Sequence, residues 1–171
     1  FVFFNLLEEI DEPGEWAFDA KTKKLVLYPD AGFTDGSTCA VGTFDSPLIS
    51  LKGASDVRIE GIVFTAKCGE HCIVIENGSG NVVAGCRFSG VRQGVSVSGL
   101  RNKVVSCDFE NLLDNGVTLA GGEVKSMTRG GNVVENCLFS EFGILSGGYA
   151  DAVIVNGCGN TLRHSEMHGA I

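Results

Sequence analysis

Four short segments in the second half of the chain alternate apolar and polar residues. They begin near residues 72, 94, 116 and 152. A period of two is typical of half-buried β-strands, in which successive side chains point to opposite faces. Aligning the segments gives two apolar columns that we predict to point inward: Ile73, Val95, Val117 and Val153 in the first, and Ile75, Val97, Leu119 and Val155 in the second.

A nine-residue segment follows each of these strands and is nearly the same each time. It reads GNVVAGCRF at 80–88, RNKVVSCDF at 101–109, GNVVENCLF at 131–139 and, more loosely, GNTLRHSEM at 159–167. Each copy has a small residue six positions after its first residue: Cys86, Cys107, Cys137 and Ser165. Small residues at this position suit a tight inward corner. Two flanking columns are predicted to be buried, namely Val83, Val104, Val134 and Leu162, and Phe88, Phe109, Phe139 and Met167.

The repeating unit is about 21 residues long and has no helical stripe, so it cannot bury its apolar side alone. Stacked copies form a parallel β-helix, in which successive coils lie about 4.8 Å apart and like residues lie above like. A leucine-rich repeat would need its own leucine pattern, and a β-sandwich gives no reason for in-register columns. A weaker copy at residues 47–71 brings this all-β solenoid to about five coils, with an inward set of Val57, Ile59, Ile62 and Phe64.

The first 46 residues precede the repeats, and we predict a lead-in segment at 1–46 before the coils at 47–171. Residues 14–30 alternate apolar positions, Trp16 with Phe18 and Leu25 with Leu27, around a polar turn. This pattern predicts a β-hairpin, which we expect to cover part of the core. At residues 5–10, Asn5 followed by Glu8 three positions later predicts a capping box on a short helical turn.

Composition and charge narrow the class of partner. The chain has 24 glycines among 171 residues, which implies many turns, and 13 basic against 21 acidic residues give a net charge of −8. This charge argues against a nucleic-acid groove or an anionic membrane surface. The apolar start is too short and too soon acidic for a signal peptide or a membrane span. Because the chain lacks an initial Met and stops within a repeat at Ile171, we expect an excerpt of a longer protein.

Two coils are longer than the others, by about nine and seven residues. The first insertion, at 121–130, directly follows the end of one strand, and the second, within 141–151, directly precedes the start of the next. Long insertions on one face of a repeat protein commonly mark its binding side. Between the insertions we expect a shallow floor of outward residues in two columns: Ser96, Thr118 and Ile154, and Ser98, Ala120 and Asn156.

The residues around this floor have the chemistry of a sugar site. Gln93, Asn115 and Asp151 precede the strands, and an aromatic side chain with carboxylates over a long groove can hold and cleave a glycan. Carboxylates one coil apart would suit a retaining glycosidase, and carboxylates two coils apart would lie at the edge of the inverting range. Asp151 has no acidic partner one coil away in its own column, so a partner would come from Glu123 or from later coils. We predict catalytic roles for Asp151 and Glu123 and substrate binding by Lys125, Arg129, Tyr149, Ser96, Thr118 and Asn156.

The histidines and cysteines favour structural roles, and no metal or other cofactor is predicted. His164 aligns with a corner and His168 with an outward column, so the two point in different directions. The segment CGEHC at 68–72 resembles half of a zinc site, but a closed site needs four ligands. The cysteines number seven, and free thiols are the simpler expectation, although Cys68 with Cys72, or Cys39 with either, could be bridged in an oxidising compartment.

Several motifs resemble right-handed parallel β-helix proteins of bacterial polysaccharide utilisation, some of which are glycoside hydrolases. They are the lead-in NLLEEIDEPGEW at 5–16, the segment GG…GGNVVEN around 121–136, and YADAVIVNG at 149–157. The resemblance covers nearly the whole chain, and its coil pattern is shared with pectate lyases, epimerases and phage tailspikes. It implies a right-handed coil, a sugar substrate and an extracellular or cell-surface location. It also implies that catalytic acids lie in coils after this segment, and Asp151 stands where relatives have proline.

Three functions remain open from the sequence. The first is part of a carbohydrate-active enzyme, a glycoside hydrolase that binds a polysaccharide or oligosaccharide. The second is a polysaccharide lyase or epimerase, for which Lys125 and Arg129 could neutralise a uronate. The third is a non-catalytic β-helix for glycan binding or structural support.

Overall fold

The computed structural model describes residues 5–38, 45–66, 69–146 and 148–170. The chain forms two compact units, Phe1–Ala40 and Val41–Ile171. The described residues are in β-strands and turns, with a single 3₁₀ turn at Leu7–Glu9. None of the described residues belongs to a helix long and apolar enough to cross a membrane.

The first unit contains the predicted hairpin. Strands β1 (Trp16–Asp19) and β2 (Lys24–Leu27) pair antiparallel, with Trp16 opposite Leu27 and Phe18 opposite Leu25. The sequence pattern is therefore confirmed for the hairpin and for a short helical turn.

The predicted capping box is wrong. The turn begins after Leu6 without a side-chain cap, and Asn5 contacts the hairpin instead. Its Oδ1 accepts a hydrogen bond from Phe18 N (2.5 Å), and its Nδ2 donates to Phe18 O (3.0 Å). An asparagine amide offers one acceptor and one donor. It therefore satisfies both backbone groups of Phe18, and this tertiary contact replaces the local cap.

The described residues of the second unit form a solenoid of five coils. The first coil contains β3 (Ile49–Lys52), β4 (Arg58–Glu60) and β5 (Val63–Thr65); the second β6 (His71–Ser79), β7 (Val82–Ala84) and β8 (Arg87–Ser89); the third β9 (Gln93–Leu100), β10 (Lys103–Val105) and β11 (Asp108–Leu112). The fourth contains β12 (Val117–Glu123), β13 (Thr128–Arg129), β14 (Val133–Glu135) and β15 (Leu138–Phe142), and the fifth β16 (Val153–Gly157), β17 (Thr161–Arg163) and β18 (Glu166–Ala170).

Equivalent strands of successive coils pair in parallel and form three sheets. The first sheet contains β3, β6, β9, β12 and β16, the second β4, β7, β10, β14 and β17, and the third β5, β8, β11, β15 and β18. The registers match the aligned columns, since Val95 lies beside Ile73 and Val117, and Val117 lies beside Val153. Vertical stacking of the repeats is thereby confirmed.

Phenylalanine rings form a continuous stack through the core. Phe64, Phe88, Phe109 and Phe139 lie in neighbouring coils, with ring centroids 4.8, 4.6 and 4.7 Å apart and nearly parallel planes. All four rings are buried, and the corner thiols Cys86, Cys107 and Cys137 are buried as well. Because the coil spacing is close to a comfortable stacking distance, the phenylalanines of the first four coils stack face to face, each on the next.

The outer coils are less buried than the columns predicted. Ile62, expected to point inward, is 40% exposed, and in the last coil Val155, Leu162 and Met167 are 46%, 38% and 41% exposed. The first and fifth coils have a neighbouring coil on one side only among the described residues. An inward column therefore loses part of its burial at the ends of the solenoid, although Ile59 and Phe64 of the first coil remain buried.

Candidate functional site

The predicted floor lies on the outer face of the first sheet. Ser96 pairs with Thr118, and Thr118 pairs with Ile154; Ala120 likewise lies between Ser98 and Asn156. Ser98 is tied to the sheet, because its Oγ donates to Ile75 O (3.4 Å) and accepts from Asn77 N (3.1 Å). The hydroxyls of Ser96 and Thr118 make no such bond within the described residues, so they can bind a polar ligand.

The first insertion is a β-hairpin that continues β12. Gly122 pairs with Arg129 and Glu123 with Thr128, and the turn between them is exposed. The Glu123 carboxylate accepts a hydrogen bond from Lys125 N (2.9 Å), so it stabilises the turn. The side chains of Lys125 and Arg129 are exposed on this hairpin.

The second insertion leads from β15 into β16. Its first part is anchored on the end of the third coil by two backbone hydrogen bonds, from Ile144 N to Leu112 O (3.2 Å) and from Leu145 N to Leu113 O (2.8 Å). Tyr149 is 96% exposed, so its ring is available to a ligand. Asp151 N donates to Asn115 Oδ1 (2.8 Å), which fixes Asp151 one coil beyond Asn115.

The two predicted catalytic carboxylates lie at opposite ends of the first sheet. Asp151 is level with Asn115, whereas Glu123 follows Gly121 in the same ladder. From Asn115 to Gly121 a strand extends about 20 Å, at about 3.3 Å per residue. Glycosidase carboxylates lie about 5 to 9.5 Å apart. The structure therefore does not bring Glu123 and Asp151 together, and Tyr149 is the loop residue on the Asp151 side.

The end of the sheet at which the strands begin carries a polar row that we call the N-terminal edge. It consists of one polar pair from each of three successive coils and one residue from the next: Glu70 and His71, Arg92 and Gln93, Asp114 and Asn115, and Asp151. A cleft of about 380 Å³ opens there and is lined by Glu70, His71, Arg92 and Gln93.

Two interactions shape this cleft. Arg92 Nε contacts Asp114 Oδ2 at 2.6 Å, and Asp114 is only 7% exposed, so a buried carboxylate holds the guanidinium. Burial lowers the pKa of His71, and the negative charge of Glu70 opposes this effect in part. The His71 imidazole is therefore neutral at neutral pH and offers one donor and one acceptor.

Sequence reasoning did not assign Glu70, Arg92 or Asp114, and it considered His71 only as half of a metal site. The alignment of the repeats could have pointed to these residues, because they lie in or directly before the column of Gln93, Asn115 and Asp151. Their side-chain pairing, however, depends on contacts between coils.

The remaining histidines contact separate carboxylates. His164 Nδ1 lies 3.5 Å from Glu135 Oε1, and His168 Nε2 lies 3.8 Å from Glu166 Oε1. The hydrogen bond from Arg163, more than His164, lowers the pKa of Glu135. Within the described part of the chain, no three His, Cys, Asp or Glu residues are placed to hold a metal ion.

Four cysteines of the solenoid are thiols rather than disulfide bridges. Cys86, Cys107, Cys137 and Cys158 are free. A hydrogen bond to Cys137, together with burial, raises the pKa of Cys107, which keeps this thiol protonated and unreactive. Cys39 and Cys68 lie outside the described residues, so the bridges considered for them stay predictions.

These features define a parallel β-solenoid with an outward polar floor between two insertions. The family model described as "Right handed beta helix region" matches residues 37–167. The chain belongs to this family of right-handed β-helices, and the predicted handedness is confirmed. No curated protein and no solved structure gives a significant match to the chain. The fold occurs in carbohydrate-active enzymes, among other proteins.

Proposed function

We propose that the chain binds an extended glycan across the first sheet, between the two insertions, as part of a carbohydrate-active protein. The observation that carries the proposal is the floor, where Ser96 and Thr118 present hydroxyls from adjacent coils in register. Asn156 extends the polar surface into the next coil. Tyr149 adds an exposed aromatic ring, whose apolar face suits the apolar face of a sugar.

Among enzymes of this class, a glycoside hydrolase agrees best with Asp151. Its carboxylate is exposed at the N-terminal edge, beside Tyr149 in the chain. Hydrolysis needs a second carboxylate within about 9.5 Å. Glu123 is too distant, and the Asp114 carboxylate contacts Arg92. The proposal therefore assigns one acidic group to Asp151 and expects the other from residues beyond those described.

A second candidate is glycan binding without catalysis, and a specific observation favours it. Asp151 has no exposed carboxylate within reach among the described residues of its edge, and Asn115 occupies the neighbouring position in its column. A lyase or epimerase is less favoured, because Lys125 and Arg129 lie on the hairpin at the far end of the strands. An extracellular or cell-surface location remains part of the proposal.

The proposal is tested by blocking the floor. Thr118→Tyr places a large side chain on the floor, and Lys103→Tyr places the same side chain on the outer face of the second sheet as a matched control. Binding to a glycan array and release of reducing sugar are measured for both variants and for the unchanged chain. We expect Thr118→Tyr to lower binding at least about tenfold, a change of about 1.4 kcal/mol, and the control to bind normally.

Equal binding by the two variants would contradict the assignment of this face. Release of reducing sugar by the unchanged chain would favour the hydrolase, whereas binding without release would favour the non-catalytic candidate.

A further inference from the structure

The N-terminal edge has a net negative charge, because the charges of its one ion pair cancel and two carboxylates remain. Arg92 is its only cation among the described residues, and this charge is offset by Asp114 at 2.6 Å. Glu70 and Asp151 remain as exposed carboxylates without a cationic partner in the described structure. The free cations near the floor, Lys125 and Arg129, are on the hairpin about 20 Å away along the strands. An acidic ligand along this edge would therefore be repelled.

The same edge is rich in groups that bind hydroxyls. Gln93 can donate and accept, the neutral His71 imidazole can do both, and the Glu70 carboxylate accepts. Arg92 uses Nε on Asp114, which leaves its terminal amino groups to donate. Because a buried carboxylate holds the guanidinium, little freedom is lost when these groups bind a ligand.

We propose that the cleft of Glu70, His71, Arg92 and Gln93 is a subsite for an uncharged sugar unit, and that the chain selects neutral over acidic glycans. This inference rests on the proposed function and adds the substrate class. The cleft lies in the second and third coils, and Asp151 is in the fifth, so about 10 to 14 Å separates them at about 4.8 Å per coil. One glycan that runs along the edge, across the coils, contacts both.

The exposed carboxylate of Glu70 has a distinct part in this selection. It accepts hydrogen bonds from sugar hydroxyls and repels a carboxylate or sulfate on the ligand. Repulsion between two like charges about 5 Å apart in water weakens binding about fourfold, and the effect weakens with added salt. Several charged units of an acidic glycan therefore lower its affinity about tenfold or more relative to a neutral one.

The test uses isothermal titration of the 171-residue chain with defined oligosaccharides. The neutral probes are cellohexaose, xylohexaose and mannohexaose, and the acidic probes are hexagalacturonate and a chondroitin sulfate hexasaccharide. Each is measured at low salt and at about 0.5 M salt, where repulsion between exposed charges is largely screened.

We expect at least one neutral probe to bind about tenfold more tightly than either acidic probe at low salt, and the ratio to shrink at high salt. Gln93→Ala and Glu70→Gln should weaken binding of that neutral probe about fivefold. Asp108→Asn, an exposed carboxylate change on the third sheet, is the matched control and should bind normally. None of these changes removes a core residue or leaves Asp114 unpaired.

The outcomes separate the two proposals. Tighter binding of an acidic probe overturns the inference and leaves glycan binding in place. Neutral binding that is unaffected by both Gln93→Ala and Glu70→Gln overturns the subsite. Binding of none of the probes, with no binding on a wider glycan array, overturns the proposed function and this inference with it.

Discussion

Asn102 and Asn132 are joined across adjacent coils by two hydrogen bonds to one oxygen. Asn132 Oδ1 accepts from Asn102 N (2.9 Å) and from Asn102 Nδ2 (3.1 Å). Asn81 makes the same pair of bonds to Asn102, and Asn132 to Asn160, so one asparagine from each of the second to fifth coils forms a ladder. The side chain thus satisfies backbone groups at a bend where strand pairing is interrupted.

Asn132→Ala tests the ladder. Asn132 is fully buried, and its loss leaves Asn102 N and Gly99 O without their partners. Each buried unsatisfied group costs about 1–3 kcal/mol, so we expect the free energy of unfolding to fall by about 2–4 kcal/mol. Urea unfolding followed by circular dichroism measures this change. Asn156→Ala, an exposed asparagine, is the control; similar midpoints for the two variants would count against the ladder.

Phe109→Ala tests the ring stack. Its ring lies 4.6 Å from Phe88 and 4.7 Å from Phe139, and it is fully buried. Truncation removes both stacking contacts and leaves a cavity, which costs about 3–5 kcal/mol of unfolding free energy. Thermal and urea unfolding check the value. Leu138→Ala, a half-buried change one residue from Phe139, should cost clearly less, and a Phe109→Ala loss no larger than that of the control would refute the core role.

Asp151 and Tyr149 are tested by glycan binding and turnover. Asp151→Asn keeps the size of the side chain but removes its charge, and a lost charge-assisted hydrogen bond of about 1.5 kcal/mol corresponds to roughly tenfold weaker binding. Tyr149→Ala should weaken binding, while Tyr149→Phe, which keeps the ring, should weaken it less. His168→Ala on the third sheet should change little. Normal binding by both Asp151→Asn and Tyr149→Ala would remove these residues from the site.

The acid sensitivity of the fold should depend on His71. Because burial lowers the pKa of His71 in the folded state, the unfolded chain binds more protons in acid. Stability therefore falls as the pH drops through the ordinary histidine range, and the loss is complete below the folded pKa. His71→Gln should reduce this loss, whereas His168→Gln should not. Urea unfolding between pH 7.5 and 5 provides the comparison, and identical pH profiles for all three proteins would be inconsistent with a buried neutral His71.

The site was less predictable than the coils. The insertions at 121–130 and 141–151 were correctly placed at the ends of strands, but the pairing of Glu123 with Asp151 was not realised. An insertion has no repeat partner, so sequence alignment cannot fix the direction in which its side chains point. The Arg92–Asp114 ion pair was missed for a related reason. Arg92 and Asp114 are equivalent positions of adjacent coils, but they are different residue types, so they do not form a column of like residues.

The sequence alone determined which residues lie above one another. A repeat of fixed spacing forces each coil to pair with the next in register, so Phe88, Phe109 and Phe139 had to stack wherever the solenoid formed. Only the tertiary structure decided how much each position is buried and which polar groups meet. Burial of Ile62 or Val155 requires coils on both sides, and the contacts of Asn5, Glu123 and Arg92 depend on three-dimensional distances that no period in the chain encodes.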